Sequence, residues 1–214
     1  MLAAILPSIS SLLPQLIASY GNFIYLGLFA LIFVETGLVV MPFLPGDSLL
    51  FLCGSIAALS GHDLNIWLLL ALLAIAAILG DSVNFEIGEH FGTRIATSPR
   101  LRRFITPEYL VQSERFFQKH GKIAILLGRF VPIIRTFIPF TAGVSQMRYR
   151  DFIMYNILGG CTWVAVALGS GYLFGNIPLI KAHFELIMIA IVLISLIPAV
   201  IVGWHQKDGE PDAN

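Results

Sequence analysis

The sequence predicts an all-α polytopic membrane protein, and three observations carry that prediction. Of 214 residues, 57% are hydrophobic and only 12% charged, about half the ~25% usual for soluble domains. Mean hydropathy is +0.84. Charge is also absent from long stretches: residues 1–34, 152–180 and 186–206 hold no Asp, Glu, Lys or Arg, and 64–80 is a further uncharged run. A helix needs roughly 20 apolar residues to cross ~30 Å of hydrocarbon, so most of these runs can span. The figures exclude a soluble globular domain and a disordered chain. With 13 basic and 13 acidic residues the formal net charge is zero, which leaves no basic surface for nucleic acid.

In order along the chain, residues 1–214 read as one membrane domain. Pro7, Pro14 and Ser8–Ser11 break the first 20 residues, which read as a membrane-surface helical segment. The first basic residue is Arg94, so no cleaved signal peptide is expected. About four full spans follow, at 22–41, 66–88, 152–175 and 186–204, with 205–214 as a tail. Trp67 and Trp204 suit interfacial positions, and Trp163 falls inside a span. Cys53 and Cys161 lie far apart in apolar stretches without metal-ligand spacing, so no metal and no cofactor is expected.

Two apolar segments do not fit as spans. In 42–59, Pro42, Pro45, Gly46 and Asp47 leave a clean helix only over Ser48–Leu59. Twelve residues reach about 18 Å, roughly half the hydrocarbon core. In 123–147, Arg129, Pro132, Arg135 and Pro139 interrupt the run, and Ile123–Ile134 is again short. Both are expected to be re-entrant hairpins that turn at Pro/Gly and leave on the side they entered; irregular backbone survives at depth only where protein or water satisfies it.

The basic residues orient the chain. Residues 89–122 hold Arg94, Arg100, Arg102, Arg103, Arg115, Lys119 and Lys122 and read as a cytoplasmic connector. With both hairpins re-entrant, ten basic residues fall inside and Lys181 alone outside; with both crossing, the split is eight to three. The re-entrant topology therefore fits better and puts both termini in the cytoplasm. It opens the hairpins to opposite sides, as in an inverted repeat: 21–88 the first half, 123–175 the second. Gly80, Asn84, Gly88 and Gly92 in one half, and Gly159, Gly160, Gly169, Gly171 and Gly175 in the other, allow close helix approach. Within the connector, Thr106-Pro107-Glu108 starts an amphipathic helix and Gly121 stops it.

Four ionisable residues remain at membrane depth: Glu35, Asp47, Arg129 and Arg135. Each costs about 2.5–3.5 kcal/mol at a helix centre, so they must pair, face water or change protonation. One reading is structural: salt bridges lock the hairpins, and Asp47 caps the half-helix after it. The other is functional. Arg129 and Arg135 form a substrate-binding clamp, because guanidinium is planar, always charged and bidentate toward phosphate. Glu35 and Asp47 serve proton coupling or gating: a proton taken up would release a carboxylate from an arginine and free it for an anion. Asp81 is a supporting candidate, as the acid that pairs with and positions an Arg or as polar lining. Pro45, Gly46, Pro132 and Pro139 shape the breaks.

Glu35-Thr36-Gly37 with Pro42-Phe43-Leu44-Pro45-Gly46-Asp47-Ser48 resembles the first signature of the DedA (SNARE-associated, VTT-domain) family. Gly128-Arg129-Phe130-Val131-Pro132-Ile133-Ile134-Arg135, with Pro139 and Ala142-Gly143, resembles its second. Phe116 to Gly121 and Gly80-Asp81 also fit, and the resemblance covers approximately residues 20–200. It implies a re-entrant, inverted-repeat transporter of the bacterial inner membrane, with roles in envelope homeostasis and dependence on proton-motive force. The implied partners are protons and an anionic lipid, undecaprenyl phosphate or a phospholipid. The resemblance carries the family's acids and arginines onto Glu35, Asp47, Arg129 and Arg135.

Four functions are weighed. A lipid-phosphate flippase leads. A proton-dependent small-solute transporter would use the same acids. A lipid phosphatase would need a nucleophile or base, and His62, His90, His120, His183 and His205 all lie in loops or at span ends, so no enzyme is expected. A scaffold would need the charges only for assembly. The sequence is compatible with a homo-oligomer.

Overall fold

A computed structural model describes residues 21–38, 46–59, 64–97, 107–175 and 177. The expected surface segment at 1–20, Pro42 and Pro45, the last span at 186–204 and the tail at 205–214 lie outside the described residues. Those described are helix and turn, without a strand. They form α1 (Phe23–Gly37), α2 (Gly46–Leu59), α3 (Ile66–Thr97) and α4 (Pro107–His120), then a 3-10 turn at Gly121–Ile123, α5 (Ala124–Gly128), α6 (Pro132–Val144) and α7 (Tyr149–Gly175).

Two of these helices are long and apolar enough to cross a membrane: Ile66–Phe91 within α3 and Tyr149–Phe174 within α7. Their outer faces expose Leu68, Ile75, Leu79 and Val83 on α3 and Met154, Ile157, Leu158 and Val166 on α7. An apolar surface of that extent marks contact with lipid or protein. Trp67 is 76% exposed at the start of α3, where an interfacial anchor belongs. α3 runs nine residues past the expected boundary at 88, because no proline interrupts it before Pro99. α1 is 15 residues, about 22 Å long, and shorter than the expected span 22–41. It ends at Gly37, where Leu38 turns extended.

The run Ile123–Ile134 is not one helix. α5 stops at Gly128, Arg129 and Phe130 form a turn, and Val131 is extended (φ −108, ψ 108). The cause is local: the residue before a proline is pushed out of the α region, and Pro132 then starts α6 at a position needing no N–H. Pro139 does not turn the chain. It sits inside α6, where its missing N–H leaves the carbonyl of Arg135 without its helical donor. α4 begins at Pro107 and ends at His120, and Gly121 follows in the left-handed region (φ +59). Ser113 Oγ and Thr141 Oγ1, 2.9 Å apart, tie α4 to α6.

One helix contact is made twice. α2 lies on α7 so closely that a Cβ on Gly54 would strike Leu168 O and Tyr172 N, and one on Gly171 would strike Phe51 O. α6 lies on α3 so that a Cβ on Gly143 would strike Phe85 O and Glu89 N, and one on Gly88 would strike Phe140 O. The residue spacings match position for position: 51 and 54 answer to 140 and 143, and 168, 171 and 172 answer to 85, 88 and 89. Each half thus lays its short helix on the other half's long one. The small residues let backbones meet where no hydrophobic effect drives helices together.

The apolar packing forms two clusters. One joins Ile32, Leu50, Cys53, Leu73, Ala77, Val164 and Leu168. The other joins Phe85, Ala124, Ile125, Ile138, Ala142 and Phe152. Between them along α3 come Asp81 and Asn84, and along α7 Asn156; all three are buried. A polar layer therefore crosses the middle of the bundle.

Candidate functional site

Six elements bring side chains into that layer. Glu35 comes from the last turn of α1, Asp47 from the first turn of α2, and Asp81 and Asn84 from α3. Arg129 comes from the break between α5 and α6, Arg135 from the first turn of α6, and Asn156 and Trp163 from α7. Asp81 is the sixteenth residue of the 26-residue span on α3, and Trp163 the fifteenth of the 26-residue span on α7. The layer lies near the middle of both.

Arg135 is shared by two acids. Its Nη2 bonds Glu35 Oε1, and its Nη1 bonds Asp47 Oδ2 at 2.8 Å. The acids differ in depth: the Glu35 side chain is 4% exposed and that of Asp47 is 45%. Glu35 also accepts the Gly46 N–H at 3.3 Å, which ties the start of α2 to α1. A Cβ at Gly46 would collide with that carboxylate, so a larger residue there would displace Glu35. The other Asp47 oxygen, Oδ1, accepts the indole N–H of Trp163 at 2.7 Å.

Arg129 makes a separate pair. Its Nη2 bonds Asp81 Oδ2 and also donates to Asn156 Oδ1 at 2.6 Å. Both side chains of the Arg129–Asp81 pair are only 6% exposed. Asn156 is held in turn by its Nδ2 donating to Ile78 O at 3.0 Å. Gly159 and Gly160 flank the guanidinium, leaving room for it against α7. The sequence expectation had both arginines meeting Glu35 and Asp47 where the hairpins converge. The structure divides them: Arg135 takes those two acids, and Asp81, expected as the partner of an arginine or as polar lining, bonds Arg129.

Trp163 lies between the pairs. Its ring centroid is 5.2 Å from the Arg135 guanidinium carbon and 6.0 Å from that of Arg129, within cation–π range. Asn84 joins the halves by donating Nδ2 to Thr36 O at 3.2 Å and to Thr136 O at 2.9 Å. Those carbonyls belong to the residues immediately after Glu35 and Arg135. A cavity of about 20 Å³ between the two pairs is lined by Glu35, Asp81, Arg129, Arg135 and Trp163 among others. One water needs about 10–15 Å³ of such volume, so a phosphate does not fit without movement. Among the described residues, buried Glu35 Oε2, Asn84 Oδ1 and Arg129 Nε have no hydrogen-bond partner.

Sequence reasoning missed Asn156 and Trp163 as site residues and read Asn84 only as a packing position. A signal was available for two of them. Asn156 is an amide inside an uncharged span, and Trp163 sits mid-span where tryptophan has no interface to prefer. Pro45 lies outside the described residues.

The family model of the VTT domain matches residues 44–173. The chain is 46% identical over 189 residues to Protein DedA of Escherichia coli (strain K12), covering 88% of this chain and 86% of that protein. It is 41% identical over 182 residues to an uncharacterized membrane protein of Mycobacterium tuberculosis, covering 85% and 79%. To the inner membrane protein YghB of Escherichia coli (strain K12) it is 35% identical over 182 residues, covering 84% and 82%. No solved structure matches.

Proposed function

The chain belongs to the DedA family of VTT-domain membrane proteins, and from that premise we propose that it is a flippase of the bacterial inner membrane for an anionic lipid phosphate, undecaprenyl phosphate first among candidates. One observation carries the reading: Arg135, a permanent cation near the middle of the spans, is held by two carboxylates that can let it go. A guanidinium there costs several kcal/mol unless paired, so it stays paired with its own acids until an anion replaces them.

Proton coupling follows from the charge balance. Among the described residues of the layer, Glu35, Asp47 and Asp81 face Arg129 and Arg135, three carboxyls against two guanidiniums. One proton on Glu35 or Asp47 neutralises the group and weakens the hold on Arg135. A headgroup phosphate then binds Arg135, with Arg129 adding charge from behind, while the lipid tail stays in the membrane. The duplicated helix contacts through Gly54–Gly171 and Gly88–Gly143 support an inverted repeat whose halves rock around the layer. The chain is multi-pass on this reading, with both termini cytoplasmic, and moves the lipid unchanged. In support of the last point, the described histidines, His90 and His120, are not among the residues that line the cavity, and each has its Nδ1 at a backbone carbonyl four residues back.

The test is flux of labelled undecaprenyl phosphate in proteoliposomes, with and without a pH gradient. Wild type should move the lipid and Arg135→Ala should not; equal rates would refute the proposal. Arg135→Lys should also fail, because an ammonium does not reproduce the two-nitrogen fork.

A further inference from the structure

Two donors from different helices converge on one carboxylate. Arg135 Nη1 reaches Asp47 Oδ2 at 2.8 Å, and Trp163 Nε1 reaches Asp47 Oδ1 at 2.7 Å. Asp47 therefore presents two oxygens of one anionic group to a cation and a neutral N–H, as two oxygens of a phosphate would. Its side chain is 45% exposed, and it is the second residue of α2, directly after Gly46. Trp163 is 5% exposed and fixed by packing with Val164 and Leu168. The carboxylate is the member of this trio placed to move.

When Asp47 leaves, the indole N–H loses its acceptor in a buried position, which is unfavourable until another acceptor arrives. Arg135 Nη1 loses its acceptor at the same moment. Both vacated bonds point at one place, beside a cavity that already extends toward Arg129.

We infer that Asp47 is a tethered stand-in for the substrate's phosphate, and that Trp163 is a further substrate-binding residue that passes its hydrogen bond from Asp47 to a phosphate oxygen. This rests on the reading of the chain as a lipid-phosphate flippase. The ligand chemistry is a phosphate oxyanion; its two sources are a lipid headgroup and free inorganic phosphate. Asp47 competes with the phosphate for the same donors, so substitutions at the two residues have opposite signs. Removing the competitor tightens binding, and removing the donor weakens it.

The experiment uses the full chain in neutral detergent, with Trp67→Phe and Trp204→Phe leaving Trp163 as the remaining one of three tryptophans. Dodecyl phosphate is titrated against tryptophan emission and, in parallel, by calorimetry, with dodecanol and inorganic phosphate as separate arms. Dodecyl phosphate should shift Trp163 emission saturably, and dodecanol should not. By calorimetry, Asp47→Asn should bind dodecyl phosphate roughly tenfold tighter and Trp163→Phe roughly 10- to 100-fold weaker. Trp163→His, which keeps a ring N–H, should recover part of that loss. A damaged fold cannot produce the tightening in Asp47→Asn. If Arg135→Ala abolishes binding while Asp47→Asn and Trp163→Phe bind as wild type, the inference falls and the flippase reading stands. If neither wild type nor Asp47→Asn binds dodecyl phosphate, both fall. Equal binding of inorganic phosphate, with the same opposed pattern, upholds the subsite and overturns the lipid as its source.

Discussion

Asp81→Asn isolates the buried pair with almost no change of shape. Arg129 and Asp81 are each 6% exposed, so water cannot replace the lost charge. Removing one partner of a buried pair costs about 3–5 kcal/mol. The asparagine oxygen can still accept from Arg129, and Asn156 Oδ1 at 2.6 Å remains; one retained hydrogen bond returns about 1 kcal/mol. The net loss is about 2–4 kcal/mol. At about 2–4 °C per kcal/mol for a chain of this size, the melting temperature of the detergent-solubilised protein should fall by roughly 4–16 °C. Arg129→Gln combined with Asp81→Asn removes both charges. It should melt higher than the sum of the two single losses predicts, with a coupling of about 1–3 kcal/mol. An Asp81→Asn protein that melts with wild type, or a double variant whose losses simply add, would refute the ion pair as a buried and mutually dependent contact.

Three further predictions address other parts of the bundle. Gly54→Ala and Gly143→Ala each push a Cβ into facing backbone and should destabilise by about 1–3 kcal/mol. Gly27→Ala and Gly169→Ala meet nothing within 4 Å and should be neutral or gain about 0.5–1 kcal/mol; thermal melts of all four compare them. Asn84→Ala loses two donations to buried carbonyls, about 2 kcal/mol at ~1 kcal/mol each. Asn84→Asp is the more conservative shape and should melt lower still, because its carboxylate faces two carbonyl oxygens. Glu35→Gln removes the deep charge on Arg135, and flux in proteoliposomes should lose its response to an imposed pH gradient; an unchanged response would rule out Glu35 as the coupling acid.

Much of the site was legible because burial of charge is a local cost. Glu35, Asp47, Arg129 and Arg135 stand out in apolar sequence whatever their partners, and the structure gathers all four, with Asp81, into one layer. The break before Pro132 was legible for a similar reason: Val131 is constrained by its neighbour alone. Pro139 was misleading, since a proline can sit inside a helix when surrounding packing tolerates the lost bond. Asn84 was hidden among small packing residues spaced four apart, while Asn156 and Trp163 gave only the weak signal of an amide and an indole in mid-span, with nothing to say what they bond.

The sequence by itself determined that this chain is a membrane protein, which residues have no place in lipid, and that the backbone breaks before Pro132. Each follows from the composition of a short segment and the cost of exposing it to hydrocarbon. Only the tertiary structure decided which acid holds which arginine. Asp81 lies 48 positions from Arg129, and Glu35 lies 100 from Arg135. No periodicity or propensity links such positions. They meet because Gly54 and Gly171, and Gly88 and Gly143, let four helix backbones pack within contact, and that packing sets which side chains share the layer.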